Sequence, residues 1–339
     1  MKAGDHLYGD LLAREDLREL ARVSSWYGFL SVLGIWILIG GVFGLLLAFP
    51  PASLLQGLLV FCVALPPISA LQNALIQLAH EGIHGLLHPD RRWNDTFSAL
   101  FVALPLGIPF GRMRSHHLAH HRHLGEPAAD PDRFYYKDFS PRPRELLLEL
   151  FKSLSGFYVL RRSLEFLRGG RSVTVNTGGS GLSGESLLVY GLHFVLAGAL
   201  LITSSFWALT VYALLWVLPI LTCCRVLQQW RLMVEHGTML HAERAAPSAG
   251  ATENIADPVE RVLRLTRSTV GRNLSRYVVG SFGLNYHVEH HLYPVVPYYR
   301  LAELRSRLLM RPVFQKTYHQ GASYFQLHAP ATSPHASGN

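Results

Sequence analysis

The sequence predicts an all-α integral membrane protein with four transmembrane helices in two hairpins and a cytoplasmic helical cap that carries a metal site. One observation is a lack of charge: no Lys, Arg, Asp or Glu occurs between Trp26 and Ala79 or between Ser186 and Cys224. A transmembrane helix needs about 20 apolar residues, so each stretch can cross a bilayer twice. A second observation is a set of eight histidines in three short clusters with helical spacing.

Short breaks divide each charge-free stretch into two spans. Pro50 and Pro51 interrupt the first stretch, and a Thr-Ser-Ser sequence at 203–205 interrupts the second. The four predicted spans cover residues 28–49, 52–79, 186–202 and 206–224. The predicted domains are a cytoplasmic N-terminal segment at 1–25, a membrane domain at 26–310 and a C-terminal tail at 311–339.

The distribution of the 31 basic residues predicts the orientation of these spans. Four precede the first span, 14 lie between the hairpins and 13 follow the last span. Because Lys and Arg accumulate in cytoplasmic segments, both termini and the histidine clusters are expected on the cytoplasmic side, most simply of a bacterial inner membrane. The net charge of +8 then reflects topology and attraction to anionic lipid head groups. No nucleic-acid partner is expected, since no basic run contains interleaved aromatic residues.

Two further segments are predicted to lie at the membrane surface. Thr96–Phe110 is apolar but too short to span, and it contains two prolines, so it is expected to form a re-entrant or interfacial element. Arg142–Arg168 has apolar residues at helical spacing, which predicts an amphipathic helix lying on the membrane.

The first histidine cluster is His80-Glu-Gly-Ile-His84. Residues four apart share one face of a helix, so both imidazoles can bind one metal ion. The pattern also matches the H-E-x-x-H motif of zinc proteases, in which Glu81 would be the general base. His88 lies one turn further along the same face, and Pro89 is expected to end the helix.

The other two clusters share the spacing H-x-x-H-H. They contain His117, His120 and His121 in one case and His287, His290 and His291 in the other. A zinc protease needs only one more ligand, so these histidines have no use there. A His-rich tract that binds metal loosely is the remaining alternative for the second cluster. Eight imidazoles are too many for one ion, which indicates a dinuclear site; His116 and His123 fall outside the spacing.

These three clusters, arranged around two membrane hairpins, resemble the membrane fatty-acid desaturase and hydroxylase superfamily. The resemblance covers residues 71–308 and includes the segments His120–Gly125, Asp130–Asp132 and Asn285–Pro294. It implies a non-haem di-iron enzyme that takes O2 and external electrons to desaturate a lipid acyl chain. A hydroxylase or a carotenoid-type ketolase would have the same site. The electron donor would be a ferredoxin or a haem redox protein with its reductase.

The resemblance also implies a ninth ligand just after the fourth span. His236 matches this position, and His241 is the competing candidate. His193, inside the third span, is expected to be hydrogen-bonded or near the substrate rather than a ligand. Supporting polar residues are expected to orient the ligands. The candidates nearest to the clusters are Glu81, Asn285, Glu289, Asp130 and Asp132, followed by Asp95 and Glu235.

Two functions of other classes are also compatible with parts of the sequence. A zinc metalloprotease would depend on His80, Glu81 and His84 alone. A metal-binding or transport protein is the other, although transporters tend to place ionisable ligands within their spans, and the two charge-free stretches contain only His193 as a candidate ligand.

Overall fold

The computed structural model describes residues 11–137, 139–167, 184–203, 206–245, 255 and 257–328. These residues are mostly helical, and a small parallel sheet pairs β1 (Ser268–Thr269) with β2 (Gln320–Gly321). The α-helices are α1 Arg14–Leu20, α2 Tyr27–Ala48, α3 Leu54–His84, α4 Arg91–Phe97, α5 Phe110–His123, α6 Arg133–Tyr136, α7 Pro143–Leu154, α8 Phe157–Leu167, α9 Gly184–Thr203, α10 Phe206–Val211, α11 Leu218–Leu221, α12 Cys223–Leu232, α13 Thr238–Ala245, α14 Pro258–Leu265, α15 Leu274–Val278, α16 His287–Leu292, α17 Leu301–Leu308 and α18 Pro312–Thr317. Segments of π-helix cover Ser98–Ala103, Tyr212–Val217 and Met233–Gly237, and 3-10 turns cover Leu104–Leu106 and Tyr298–Arg300.

Among the described residues, four helices are long and apolar enough to cross a membrane, as predicted. They are Tyr27–Ala48, Leu54–His84, Gly184–Ile202 and Phe206–Ala245. The arrangement in two hairpins and the cytoplasmic side of the site stay predictions. At 1.5 Å per residue, the 31 residues of α3 extend over about 46 Å, well beyond a hydrocarbon core of about 30 Å. The end of α3 that carries the first histidine cluster can therefore lie outside the hydrocarbon region.

The predicted ends of two helices need correction. The fourth long helix continues to Ala245 instead of ending at 224. Its added part contains charged residues, and two of them, Arg231 and Glu235, are buried and form an ion pair within the helix. Helix α3 ends at His84 rather than reaching Pro89, because Gly85 adopts the left-handed conformation with φ of +82°. Glycine takes this conformation readily and commonly terminates helices.

The segment predicted to be re-entrant forms a sharp bend. The helical run Arg91–Leu106 meets α5 at an angle of 98°, and Gly107 at the bend has φ of +70°. Two side chains from the third and fourth long helices hold this bend: a ring nitrogen of His193 lies 3.0 Å from the carbonyl oxygen of Leu104, and Trp216 donates to the carbonyl of Pro105. His193 is therefore hydrogen-bonded, and it belongs to neither histidine group described below.

The amphipathic segment consists of two helices rather than one. Helices α7 and α8 are separated by Ser155 and Gly156. Both present exposed apolar side chains, among them Leu147, Phe151 and Leu160. Exposed apolar residues on adjacent amphipathic helices are compatible with the predicted position on a membrane surface.

Described segments before the first and after the last membrane helix, including α1 and α18, pack into the same core as the third histidine cluster. Phe314, Tyr318 and Tyr324 are almost fully buried, and Arg307 forms ion pairs with Asp16 and Glu19 at 2.7 and 2.8 Å. The predicted domain boundaries at 25 and 310 therefore fall inside a packed region. The sequence missed this packing because α1 and α18, with 7 and 6 residues, are too short to show a clear hydrophobic period.

We expect Phe314→Ala to lower the free energy of unfolding by about 3–5 kcal/mol, the usual cost of truncating a buried phenylalanine. Phe325→Ala is the matched control, because Phe325 is 73% exposed and should change stability by less than about 0.5 kcal/mol. Thermal unfolding of both variants in the same detergent gives the comparison. Equal stability of the two variants would contradict the packing of this segment.

Candidate metal centre

Five imidazoles from three helices meet in a first group. His80 and His84 lie at the end of α3, His117 and His121 one turn apart on α5, and His290 on α16. One ring nitrogen from each lies within 4.8 Å of those of the others. The i, i+4 spacing on α3 and α5 places each pair on one helix face, and α16 completes the group.

Four imidazoles form a second group beside the first. His120, His236 and His291 each have a ring nitrogen within 4.8 Å of the other two. Nε2 of His287 lies 2.9 Å from Nε2 of His236 and 3.2 Å from Nε2 of His291. The structure therefore brings together all nine histidines that the sequence indicated, in groups of five and four. Their role as ligands stays a prediction.

The spacing of the ring nitrogens in the first group fits a metal ion. Nε2 of His117 lies 2.9 Å from Nε2 of both His84 and His121, and Nε2 of His121 lies 3.1 Å from that of His290. Two ligands at right angles with bonds of about 2.1 Å have nitrogens about 3.0 Å apart. Burial lowers the pKa of His117, His121 and His290 well below the usual value, so these rings are neutral, the form that binds metals.

The tautomers in the second group also suit a metal. Nδ1 of His236 donates to the carbonyl of Leu265 at 2.9 Å, and Nδ1 of His120 donates to Asp130 at 2.8 Å. Each ring therefore has a lone pair on Nε2. Nε2 of His120 is buried and has no hydrogen-bond partner among the described residues, as expected for a nitrogen whose natural partner is a metal ion.

Comparison with known proteins agrees with this geometry. A sequence model described as fatty acid desaturase matches residues 56–326, most of the chain. The chain belongs to the fatty acid desaturase family. It is 29% identical over 250 residues to dihydrorhizobitoxine desaturase from Bradyrhizobium elkanii. The match covers 71% of this chain and 66% of that protein, so the chain spans just under two thirds of the length of this relative.

Among the supporting residues of this desaturase-family chain, Asp130 makes the most contacts. One of its carboxylate oxygens accepts from His120, and the other accepts from the backbone N–H of Gly125 at 2.8 Å and from the hydroxyl of Tyr136. Burial by itself lowers the pKa of His120, but the carboxylates of Asp130 and Asp132 outweigh it and raise that pKa. A more basic imidazole is a stronger ligand.

The other predicted supporting residues differ in their contacts. Asp132 lies 2.8 Å from Nε2 of His116 and 3.7 Å from Nδ1 of His120. An Oε atom of Glu81 lies 3.7 Å from Nδ1 of His80, and the same carboxylate accepts from the backbone N–H of Tyr298.

Glu289 and Asn285, two of the predicted supporting residues, have no described hydrogen bond to a histidine ring. Among the described contacts, Glu289 accepts from Ser268 at 2.6 Å and from Tyr318 at 2.8 Å. Asn285 donates to the carbonyl of Thr269 at 2.9 Å. Both residues orient the backbone and loops around α16 rather than an imidazole. Asp95 likewise pairs with Arg114, not with a histidine.

The remaining histidines near the clusters stay outside both groups. Their contacts are His88 with Asp90, His116 with Asp132, His123 with Glu126, and His241 with the ring of Phe139. This agrees with the spacing argument that excluded His116 and His123, and it favours His236 over His241.

Sequence reasoning missed several residues that contact the site. Arg231 is buried, with its guanidinium 3.3 Å from Glu235, and Tyr324 donates to the same carboxylate at 2.7 Å. The charged residues Arg231 and Glu235, four apart and just before His236, could have indicated a functional site, because charges buried next to an apolar helix are commonly functional. No sequence pattern connects the distant Tyr136 or Tyr324 to the site.

Gly82, between the first two histidines, is required by close packing. A Cβ atom at this position would lie 2.1 Å from Oγ of Ser98. Asn94 also donates to the carbonyl of Gly82 at 2.8 Å. The α3 helix can therefore approach the bend beside it only with glycine at residue 82.

A cavity of about 470 Å³ leads from the protein surface to both histidine groups. His121 from the first group and His291 from the second form part of its wall. Leu118, Leu124 and Val262 make another part apolar, and Arg122, Glu126 and Arg261 add charged groups. One histidine of each group therefore borders a cavity that is open to solvent.

We expect Asp130→Asn to weaken iron binding about 10–100-fold, the usual effect of losing a residue that orients a ligand. In the variant, an amide NH2 group, which cannot accept a hydrogen bond, would face the N–H of Gly125 or the hydroxyl of Tyr136. Competition with a ferrous chelator measures the affinity. Asp90→Asn is the control, since Asp90 is exposed and caps α4; an equal loss in both variants would contradict the role of Asp130.

We expect the iron-free protein to be less stable at pH 5.5 than at pH 7.5. Burial lowers the pKa of His117, His121, His287, His290 and His291, whereas the unfolded chain takes up protons near pH 6.5. Stability is therefore lost as pH falls through 6.5, by up to about 1.4 kcal/mol per histidine and pH unit. Thermal unfolding after chelation of the metal measures the change in stability. An unfolding temperature independent of pH would contradict the burial of these histidines in their neutral form.

Proposed function

We propose that the protein is a membrane-bound non-haem di-iron desaturase that uses dioxygen and electrons from an external donor to introduce a double bond into a lipid acyl chain. The observation that carries the proposal is the convergence of nine imidazoles, six buried and three half-buried, in adjacent groups of five and four. Membership of the fatty acid desaturase family supports a desaturase-type oxygenase.

The residues that would hold the two irons are the nine histidines, whose ring nitrogens converge in the two groups. A bound iron pair would supply the activation of dioxygen that removal of hydrogen from an unactivated C–H bond requires. The protein contributes orientation: Asp130 and the carbonyl of Leu265 fix the rings of His120 and His236. Burial keeps bulk water from the reacting groups, which protects reactive species from side reactions.

Desaturation is preferred over hydroxylation and ketolation because the family and the matched relative are both named for desaturation. The same imidazoles could serve a hydroxylase, so product analysis has to decide. A zinc protease is disfavoured by the contacts of Glu81. Its carboxylate accepts from the backbone of Tyr298, while five imidazoles, rather than three ligands, surround the point where a single zinc ion would bind.

A lipid acyl substrate is consistent with the long apolar helices that lead to the histidines. The exposed apolar side chains of α2 and α3 would contact lipid, and the acyl chain would reach the irons between the spans. The relative is named for dihydrorhizobitoxine rather than for a fatty acid, so the substrate test should include polar compounds as well as lipids.

The electron donor is proposed to bind the cytoplasmic face. By the positive-inside rule, the segments that carry the histidines and most basic residues lie on that side. Arg122 is exposed at the cavity that reaches both histidine groups. An acidic ferredoxin or a haem carrier would be attracted to such a basic face.

We expect the purified protein to bind two irons per chain and His290→Ala to lose iron, because His290 belongs to the first group. His88→Ala should retain both irons, since His88 contacts Asp90 outside the groups. Elemental mass spectrometry gives the metal content. One zinc that survives in His290→Ala would contradict the di-iron proposal and direct attention to Glu81.

We expect cells that produce the protein with a ferredoxin and its reductase to accumulate lipids with one more double bond. Gas chromatography with mass spectrometry identifies the product, and the His290→Ala variant is the negative control. A hydroxylated product in place of an alkene would assign the chain to the hydroxylase alternative.

A further inference from the structure

Glu235 is a buried carboxylate at the edge of the group of four imidazoles. It lies in the π-helical turn Met233–Gly237, directly before His236, and it is fully buried. Its Oε2 atom lies 3.3 Å from Nε2 of His287. That nitrogen also lies 2.9 Å from Nε2 of His236 and 3.2 Å from Nε2 of His291. The carboxylate oxygen therefore lies beside a ring nitrogen that is itself close to two other imidazoles of the group.

A hydrogen bond from His287 does not account for this arrangement. If Nε2 of His287 carried the proton of its ring, two acceptors would compete for it: the carboxylate of Glu235 at 3.3 Å and Nε2 of His236 at 2.9 Å. His236 offers a lone pair there because its Nδ1 donates to Leu265. One proton shared between two acceptors makes only weak, bifurcated bonds, whereas a metal cation can bind all three atoms.

The pairing of Glu235 with Arg231 leaves room for a metal. Nη1 of Arg231 lies 3.3 Å from Oε2, longer than the 2.7–2.9 Å usual for charge-assisted hydrogen bonds. The other oxygen accepts from Tyr324 at 2.7 Å. A carboxylate has about four lone-pair sites, so Oε2 can accept from Arg231 and still have a lone pair for a further partner on the side of His287.

We propose that Glu235 is an oxygen ligand of the metal ion held by His120, His236, His287 and His291. The inference rests on the proposed function, because it concerns one ion of the same pair. Iron accepts mixed imidazole and carboxylate ligands. Glu235 would give the group of four a fifth donor and a negative charge, while the group of five supplies nitrogen alone. The two ions would then be chemically inequivalent.

The test compares two glutamate variants. Glu235→Gln keeps the shape of the side chain and removes its charge. Glu289→Gln is the matched control: Glu289 is also fully buried and also accepts from a tyrosine hydroxyl, that of Tyr318, but its described hydrogen bonds and ion pairs involve no imidazole. Wild type and both variants are loaded with ⁵⁷Fe without turnover, and iron per chain and Mössbauer spectra are recorded.

We expect two irons and two quadrupole doublets in wild type and in Glu289→Gln. Glu235→Gln should retain one iron and lose one doublet, with the other unchanged. Two irons with the wild-type spectrum in Glu235→Gln would overturn the inference. Equal loss in both variants would also overturn it, since any buried amide would then have the same effect. Wild type with fewer than two irons would refute the proposed function itself.

If Glu235→Gln does not fold, a second measurement on the wild-type protein tests the inference. Wild-type protein labelled with ¹³C-glutamate is compared with and without iron by difference infrared spectroscopy. A glutamate carboxylate band that moves on iron binding supports coordination. No change in any labelled carboxylate band would overturn the inference.

Discussion

The crowding of neutral imidazoles is the constraint on which the rest of this structure depends. Several of their buried ring nitrogens have no hydrogen-bond partner among the described residues, including both nitrogens of His80 and Nε2 of His120. An unsatisfied buried polar atom costs about 1–3 kcal/mol, and lone pairs that face one another at about 3 Å repel. A bound cation removes both costs at once. Metal binding is therefore expected to be coupled to folding in this region, as in other sites whose ligands come from distant segments.

Residues around the rings form hydrogen bonds with the ring nitrogens that face away from the centre of each histidine group. Asp130 and the carbonyl of Leu265 each accept from one ring, which fixes the tautomer and directs the lone pair inward. Tyr136 and Tyr324 in turn hold the carboxylates of Asp130 and Glu235. The contacts of His236 with Leu265 and of Glu235 with Tyr324 join residues 29 and 89 positions apart in sequence, so a change at one of them is expected to affect the positions of several histidines.

The sequence predicted the parts of the structure that depend on local spacing. Charge-free length located the four apolar helices, and the H-x-x-H-H spacing selected the histidines that meet in space while excluding His116 and His123. Boundaries were less predictable: Gly85 ends α3 before Pro89 could do so, and the charges after residue 224 do not end the fourth long helix. Contacts between distant residues, such as Tyr318 with Glu289, leave no pattern in a single sequence. Short helices such as α18 do not show a hydrophobic period.

The parallel pairing of β1 with β2 has a consequence for the order of events during synthesis. β2 and the two tyrosines that hold Glu289 and Glu235 follow every one of the nine histidines in the chain. The nascent protein can insert its apolar helices and bring the histidines near one another before this segment leaves the ribosome. The backbone around α16 gains its final support only afterwards. Maturation would then have two stages, with membrane insertion first and locking of the centre by the last-made residues second.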